Sequence, residues 1–243
     1  MKNKLEIIKE AEKFRSDNGL NSGEPLKIKS LLLRLNVQTF FLPLNFNISG
    51  MSVKTGDFRF ILINSNHPIG RQNFSILHEC YHLFIQKDFD SMICSAGSFD
   101  PKDKNELKAD WFAAFVLMPE CGIVERVPDN ELEKDTITLK TLLYLEHYYG
   151  CSNAALLHRL NEMDVISEKF RADYRDNIIV NAQLNGYDTC LYEPGRENMF
   201  IGDYGPTAKE LYDKNLISES HFISLMQDIG VEIDFTRLNI VSE

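Results

Sequence analysis

The sequence feature that most constrains the fold is a pair of histidines, His78 and His82, with Glu79 between them. Residues four apart lie one turn apart on the same face of an α-helix, so both imidazoles can point the same way. The neighbouring apolar residues follow the same helical spacing. The resulting stripe comprises Phe74, Leu77, His78, Tyr81, His82 and Ile85. The pattern predicts a helix over about residues 71–86 whose buried face carries both histidines.

The presence of two histidines on the predicted buried face indicates a metal site. Both imidazoles could instead bond to backbone carbonyls in the core, but two histidines beside a carboxylate would be destabilising to bury without a cation. Glu79 is offset around the helix from both histidines, so it can take a proton from a water at the metal instead of binding the metal. The H-E-x-x-H pattern therefore predicts His78 and His82 as ligands and Glu79 as the catalytic base.

A third ligand is expected from a second helix, over residues 104–118. Catalytic zinc sites have three protein ligands and one open position. Glu106 and Asp110 share one face of this helix, and the small side chains of Ala109 and Ala113 would let it approach the first helix closely. We predict Glu106 as the ligand because its side chain reaches further, and Asp110 as the acceptor of a ligating histidine's outer N–H. The alternative assignment exchanges these two roles.

The remaining patterns predict an α+β fold. Strands are expected at residues 37–42 and 57–64, and short strands with turns at 177–203. Further helices are expected at residues 3–17, 26–35, 136–149, 153–163, 206–214 and 218–228. The polar residues 88–103 predict a loop. The helices on either side of Gly150 suit a helix-turn-helix or a plain αα-hairpin, and their low positive charge favours the hairpin. Ser152 is the predicted cap of the second of these helices.

The charge distribution limits the partners of the chain. The 243 residues carry a formal charge of −10. Residues 1–160 hold 20 acidic and 19 basic side chains, whereas residues 161–243 hold 16 and 7. Binding to nucleic-acid phosphates needs clustered Lys and Arg, so no direct nucleic-acid binding is expected.

Targeting signals and cysteine spacing bear on location. The sequence has no apolar run that would span a membrane and no signal peptide. Its five cysteines have no C-x-x-C spacing, so a disulfide framework is not indicated. We therefore expect a cytoplasmic protein that does not bind membranes.

Two segments resemble the ImmA/IrrE family of metallo-endopeptidases. They are RQNFSILHECYH at residues 71–82 and ELKADWFAAFVLMP at residues 106–119. The family pattern is a strand ending in Asn, then R-Q-x-F-[ST]-x-x-H-E-x-x-H, then E-x-x-A-[ND]-x-F-A-x-x-L-[LM]-P. The resemblance runs from about residue 50 to residue 165 and includes YYGCSNAALLHRL at residues 148–160. Residues 207–222 more weakly resemble the C-terminal helices of shorter members.

The resemblance implies a zincin-like metallopeptidase core, a small sheet with active-site helices, followed by a mainly helical C-terminal region. His78, His82 and Glu106 match the family's metal ligands, and Glu79 matches its general base. Zn²⁺ is the expected metal, with Mn²⁺ as the alternative. The implied substrate is a helix-turn-helix repressor, whose cleavage would derepress phage, mobile-element or stress genes. The alternative is a module that holds metal and sequesters a repressor, or acts in a toxin–antitoxin pair, without cutting.

We expect three regions: a zinc metallopeptidase domain at residues 1–130, a helical segment packed on it at 131–168, and a small acidic region at 169–243. The chain begins directly with the peptidase region, and the part after residue 165 is too short for the sensor domain of some relatives. DNA binding and signal sensing are therefore not expected.

Two aspects of substrate handling stay open in the sequence. The strand at residues 57–64 precedes the metal helix and could pair with an extended substrate by β-augmentation. The alternative is that it is an ordinary core strand. His147, Tyr148 and Tyr149 have side chains suited to stabilising an oxyanion, but a structural role suits each of them better.

Overall fold

The computed structural model describes residues 2–87, 91–95 and 104–231. The helices are α1 Lys2–Asp17, α2 Ile28–Arg34, α3 Ile69–Phe84, α4 Lys104–Leu117, α5 Glu120–Arg126, α6 Leu139–Tyr149, α7 Asn153–Glu162, α8 Glu168–Asp173, α9 Ile178–Leu184, α10 Tyr204–Asp213 and α11 Glu219–Asp228. The strands are β1 Gln38–Leu42, β2 Ile48–Thr55, β3 Phe58–Asn64, β4 Ser91–Ser95 and β5 Phe200–Ile201. The predicted α+β class is confirmed.

The described strands form one sheet in the order β4-β2-β3-β1-β5. β1 and β3 run parallel, and the other neighbouring pairs are antiparallel. β3 therefore has a strand on each side, so its backbone groups are already used within the sheet. The hypothesis that residues 57–64 pair with a substrate is wrong, and β3 is a core strand.

Two of the described strands and three of the described short helices were not predicted from the sequence. β2 was not predicted, because Gly50, Ser52 and Lys54 interrupt its apolar pattern. β4 lies inside residues 88–103, which were predicted as a loop. Its backbone pairs with β2 from Ile48 to Val53, so cross-strand hydrogen bonds rather than side-chain hydrophobicity define it. The short helices α5, α8 and α9 were also not predicted.

Residues 177–203 were predicted as short strands and turns, which is wrong in part. They contain the helix α9 and the two-residue strand β5. β5 continues the edge of the sheet by pairing with β1 at Thr39 and Phe40.

The core lies between the sheet and the helices α3, α4 and α1. Ala109 and Ala113 are completely buried on α4, which packs against α3. Phe112 of α4 meets Phe14 of α1 with the ring centroids 5.2 Å apart and Tyr81 of α3 with the centroids 5.8 Å apart. The small alanines let α4 lie close to α3, and the aromatic ring of Phe112 joins α4 to both α3 and α1.

The helices α6 and α7 form a hairpin that packs on this core. Gly150 ends α6 with a φ of 62°, a left-handed conformation that suits glycine. Ser152 caps α7 as predicted, with its hydroxyl accepting a hydrogen bond from Ala155 N. Arg159 is 4% exposed and donates to Met118 O, at the end of α4. Since this cation of α7 is buried against α4, the geometry favours the αα-hairpin.

The hydrophobic core joins residues from Ile7 to Ile201. A second, small cluster of Ala208, Phe222 and Met226 holds α10 against α11. The domain limits expected at residues 130 and 168 stay predictions. Within the described ranges, no helix combines the length and apolar character needed to cross a bilayer.

Asn64, at the end of β3, holds the loop that leads into β2. Its side-chain oxygen accepts hydrogen bonds from Leu44 N at 3.1 Å and Asn66 N at 3.0 Å. Its amide nitrogen donates to Asn45 O at 2.9 Å and Ile48 O at 2.8 Å. Because Ile48 is the first residue of β2, this side chain helps to set where β2 begins.

We expect Asn64→Ala to lower the free energy of unfolding by about 2–4 kcal/mol, because it leaves several backbone groups without their partner. Urea unfolding of the full chain measures the change. Asn47→Ala is the matched control, since Asn47 is an exposed asparagine of the same loop. The control should change the free energy of unfolding by less than about 0.5 kcal/mol. Equal effects of the two substitutions would contradict the role given to Asn64.

Candidate metal centre

The helices α3 and α4 bring His78, His82 and Glu106 together. The Nε2 atoms of the two histidines are 3.2 Å apart. The Glu106 carboxylate lies with Oε2 3.2 Å from His78 Nε2 and Oε1 3.3 Å from His82 Nε2. One ligand atom from each residue lies within 4.8 Å of the others, which is close enough for all three to hold one metal ion.

The outer nitrogens of the two imidazoles each face an acceptor oxygen. His78 Nδ1 lies 2.9 Å from Asp110 Oδ1, and His82 Nδ1 lies 2.6 Å from Gln86 Oε1. The amide oxygen of Gln86 only accepts hydrogen bonds, so the Nδ1 atom of His82 carries a proton and donates. A neutral imidazole that donates from Nδ1 presents a lone pair at Nε2, and this lone pair points toward Glu106.

This arrangement of donors and acceptors suits a metal cation. Burial raises the pKa of Glu106, whereas N–H donation and positive charge at the imidazoles of His78 and His82 lower it to about 2. A metal cation between the three side chains would supply this positive charge when the Nε2 atoms carry lone pairs instead of protons. The carboxylate is therefore charged at neutral pH. Its Oε1 atom lacks hydrogen-bond geometry although it lies close to His82. Nitrogen lone pairs converging on a carboxylate repel one another unless a cation lies between them. Two imidazoles and one carboxylate also form a common donor set of catalytic zinc sites.

The positions of Glu106 and Asp110 bear on their assigned roles. Glu106 faces the inner nitrogens of both histidines, whereas Asp110 contacts the outer nitrogen of His78. This geometry favours Glu106 as the ligand and Asp110 as the residue that orients His78. Gln86 has the corresponding place beside His82. The sequence analysis missed Gln86, although its position four residues after His82 was a usable signal.

Glu79 lies on the side of α3 that faces the sheet and is completely buried. Ser52 on β2 donates a hydrogen bond to its Oε2 atom at 2.6 Å. Gly50, also on β2, lies beside Oε1, and a Cβ atom at Gly50 would be 3.2 Å from that oxygen. Neither residue was predicted from the sequence, because β2 was not predicted.

The three oxyanion candidates contact other parts of the protein. His147 stacks on Tyr187 with ring centroids 4.5 Å apart, and its Nε2 atom lies 3.2 Å from the Tyr192 hydroxyl. Tyr148 lies under the Arg126 guanidinium at 4.3 Å. Tyr149 is 2% exposed, and its hydroxyl faces Gly23 O at 3.5 Å. These contacts are structural, which agrees with the structural role that the sequence favoured for all three residues.

Cys80, inside the histidine motif, is completely buried. Burial, together with the neighbouring charge of Glu79, raises the pKa of its thiol. The thiol therefore stays protonated at neutral pH and packs as a small apolar group.

A comparison with models of protein families matches residues 33–161 to the IrrE N-terminal-like domain of the Peptidase M78 family. The match covers more than half of the chain and includes His78, Glu79, His82, Glu106 and Asp110. It confirms the resemblance found in the sequence, and the α+β structure agrees with a zincin-like core. No curated protein matches the chain.

We expect Gln86→Ala to weaken zinc binding by about 10- to 100-fold, because His82 loses the acceptor that sets its tautomer and orientation. Competition with a chromophoric chelator measures the dissociation constant. Gln183→Ala is the control, since Gln183 is exposed on α9. Unchanged zinc affinity of Gln86→Ala would contradict the assigned contact.

Proposed function

This chain belongs to the Peptidase M78 family, with an IrrE N-terminal-like domain, and we propose that it is a zinc-dependent endopeptidase that cleaves a helix-turn-helix repressor. The observation that carries the proposal is the convergence of two imidazoles and a charged carboxylate beside a buried glutamate. Family membership supports a metallopeptidase of the ImmA/IrrE type. The repressor substrate rests on the family resemblance of the sequence and on the charge of the chain.

His78, His82 and Glu106 are the residues that would hold the metal. Zn²⁺ suits two nitrogens and one carboxylate oxygen with one position left for water or substrate, and Mn²⁺ is the alternative. When bound, the metal supplies Lewis acidity, which polarises the scissile carbonyl and makes a water more acidic.

Glu79 acts as the general base and then as the general acid. Its carboxylate takes a proton from the water as the water oxygen bonds to the carbonyl carbon of the substrate. The same proton then passes to the amide nitrogen as the C–N bond breaks, which yields a carboxylic acid group and an amine. Each proton taken up by Glu79 is therefore returned within one turnover.

The sheet offers β4 as the strand for an extended substrate. Among the described strands, β4 is the outermost strand at one edge of the sheet. One side of β4 pairs with β2, and its other side has no partner among these strands. The pairing places Met92 opposite Ser52, a residue that contacts Glu79. A substrate segment added along the free edge of β4 would lie one strand away from β2, the strand that borders the proposed base.

The charge of the C-terminal part suits a basic partner. Residues 161–243 hold 16 acidic and 7 basic side chains. A DNA-binding repressor exposes a basic surface, so we propose that this acidic part steers the repressor toward the peptidase in the cytoplasm. The alternative is that these charges only keep the chain soluble.

We expect Glu79→Gln to lower the rate of repressor cleavage by at least about 100-fold while zinc stays bound, because the base is lost and the ligands are kept. The purified chain is incubated with purified helix-turn-helix repressors from the same genome, and fragments are followed by mass spectrometry. A chelator should also stop cleavage, and added zinc should restore it.

The control for this experiment is Glu133→Gln, which alters an exposed glutamate. It should cleave at the wild-type rate. If the repressor is inactivated without fragments, and equally by Glu79→Gln, the chain is a sequestering module and the protease proposal is wrong.

Electrostatic steering predicts that cleavage slows as salt is added. We expect kcat/KM to fall by roughly tenfold between low and about 0.3 M salt, because the salt screens the charges. A triple variant with Asp173→Asn, Asp176→Asn and Asp188→Asn, all at exposed positions, should have a lower kcat/KM and a weaker salt dependence. If kcat/KM changes neither with salt nor with these substitutions, the acidic C-terminal part serves only to keep the chain soluble.

A further inference from the structure

The two oxygens of the Glu79 carboxylate have different neighbours on the strand β2. Ser52 Oγ donates to Oε2 at 2.6 Å, the length of a hydrogen bond to a charged acceptor. Both side chains are completely buried, so water does not compete for this contact. The hydrogen bond is therefore strong and directional.

The other oxygen, Oε1, lies next to a residue without a side chain. Gly50 is buried, and a Cβ atom at this position would be 3.2 Å from Oε1 and 2.8 Å from Leu62 O. Oε1 has no hydrogen-bond partner among the described residues. A buried carboxylate oxygen without a hydrogen-bond partner is unfavourable, and a catalytic role is one reason why proteins keep such a group. Gly50 thus leaves room for Oε1 to lie close to β2 without a side chain in contact at that position, while Ser52 bonds to Oε2.

We propose that Ser52 is a positioning residue that holds Glu79 so that Oε1 is the oxygen that takes the proton. The inference rests on the proposed function of Glu79 as the general base. The last torsion of a glutamate side chain is broad and roughly two-fold, so the carboxylate can turn unless one oxygen is held. The Ser52 hydrogen bond holds it, and the reacting oxygen then keeps one direction relative to α3.

Loss of the Ser52 hydroxyl should slow the chemical step without weakening substrate binding. We expect Ser52→Ala to lower kcat for repressor cleavage by roughly 10- to 100-fold, because a base that is out of position reacts more slowly. KM and zinc affinity should stay at their wild-type values. A role in stability alone would reduce the amount of folded enzyme and leave the kcat of the folded fraction unchanged.

Thr39→Val is the matched control. Thr39 is also completely buried on a strand of the same sheet, and its hydroxyl donates to Val37 O at 3.4 Å instead of Glu79. Valine keeps the size of threonine and removes the hydroxyl. We expect this variant to keep the wild-type kcat, whatever stability it loses.

A double-mutant cycle tests the contact independently of proteolysis. The free energies of unfolding of the zinc-loaded full chain are measured in urea for the wild type, Ser52→Ala, Glu79→Ala and the double variant. Coupled residues give non-additive changes, whereas residues without an interaction give additive ones. We expect non-additive changes for this pair.

The two measurements separate the possible failures. Additive changes in stability would overturn the proposed contact, whatever the activity. Non-additive changes with an unaltered kcat in Ser52→Ala would overturn the positioning role. A wild-type chain that cleaves no repressor would refute the proposed function, and the cycle would still decide whether Ser52 holds Glu79.

Discussion

The close packing of α3 against α4 is the constraint on which the rest of the site depends. Two buried alanines, Ala109 and Ala113, allow the approach. It places the Glu106 carboxylate within 3.3 Å of the Nε2 atoms of His78 and His82. Such a set of acceptors is unfavourable in a protein interior without a cation. Helix packing and metal binding therefore support each other, since the metal would relieve the repulsion that the packing creates.

The sheet supplies the second half of the site through β2. Asn64 bonds to the backbone on both sides of the preceding loop and reaches Ile48, where β2 begins. From there the strand carries Gly50 and Ser52 across the buried carboxylate of Glu79. The helix α3 carries His78 and His82 on one face, and Glu79 is offset from them around the helix toward β2. The orientation of the base thus depends on a strand that contributes no residue to the metal ligands.

The elements that were predicted correctly from the sequence are those that depend on interactions between residues close together in the chain. The helices α3 and α4, the strands β1 and β3 and the cap at Ser152 depend on local patterns, and all were predicted. β4 depends on pairing with β2 between residues about 40 apart in the chain, such as Ser52 and Met92, whereas β2 also forms a tight hairpin with β3. The sequences of β2 and β4 contain glycine, serine and lysine and lack a clear apolar alternation. The β-propensity of their residues therefore does not predict these two strands. Because β2 was not predicted, the sequence also left open whether residues 57–64 pair with a substrate or form a core strand.

The sequence by itself determined which chemical groups this protein brings to its site. The spacing of His78, Glu79 and His82 requires one helical face with two imidazoles, and the order of Glu106 and Asp110 suggests their roles. Only the tertiary structure decided how those groups are held. Gln86 on His82, Ser52 on Glu79 and the position of β3 inside the sheet all depend on contacts between separate segments. Periodicity encodes the face on which a side chain lies, whereas its partner is set by how the elements pack.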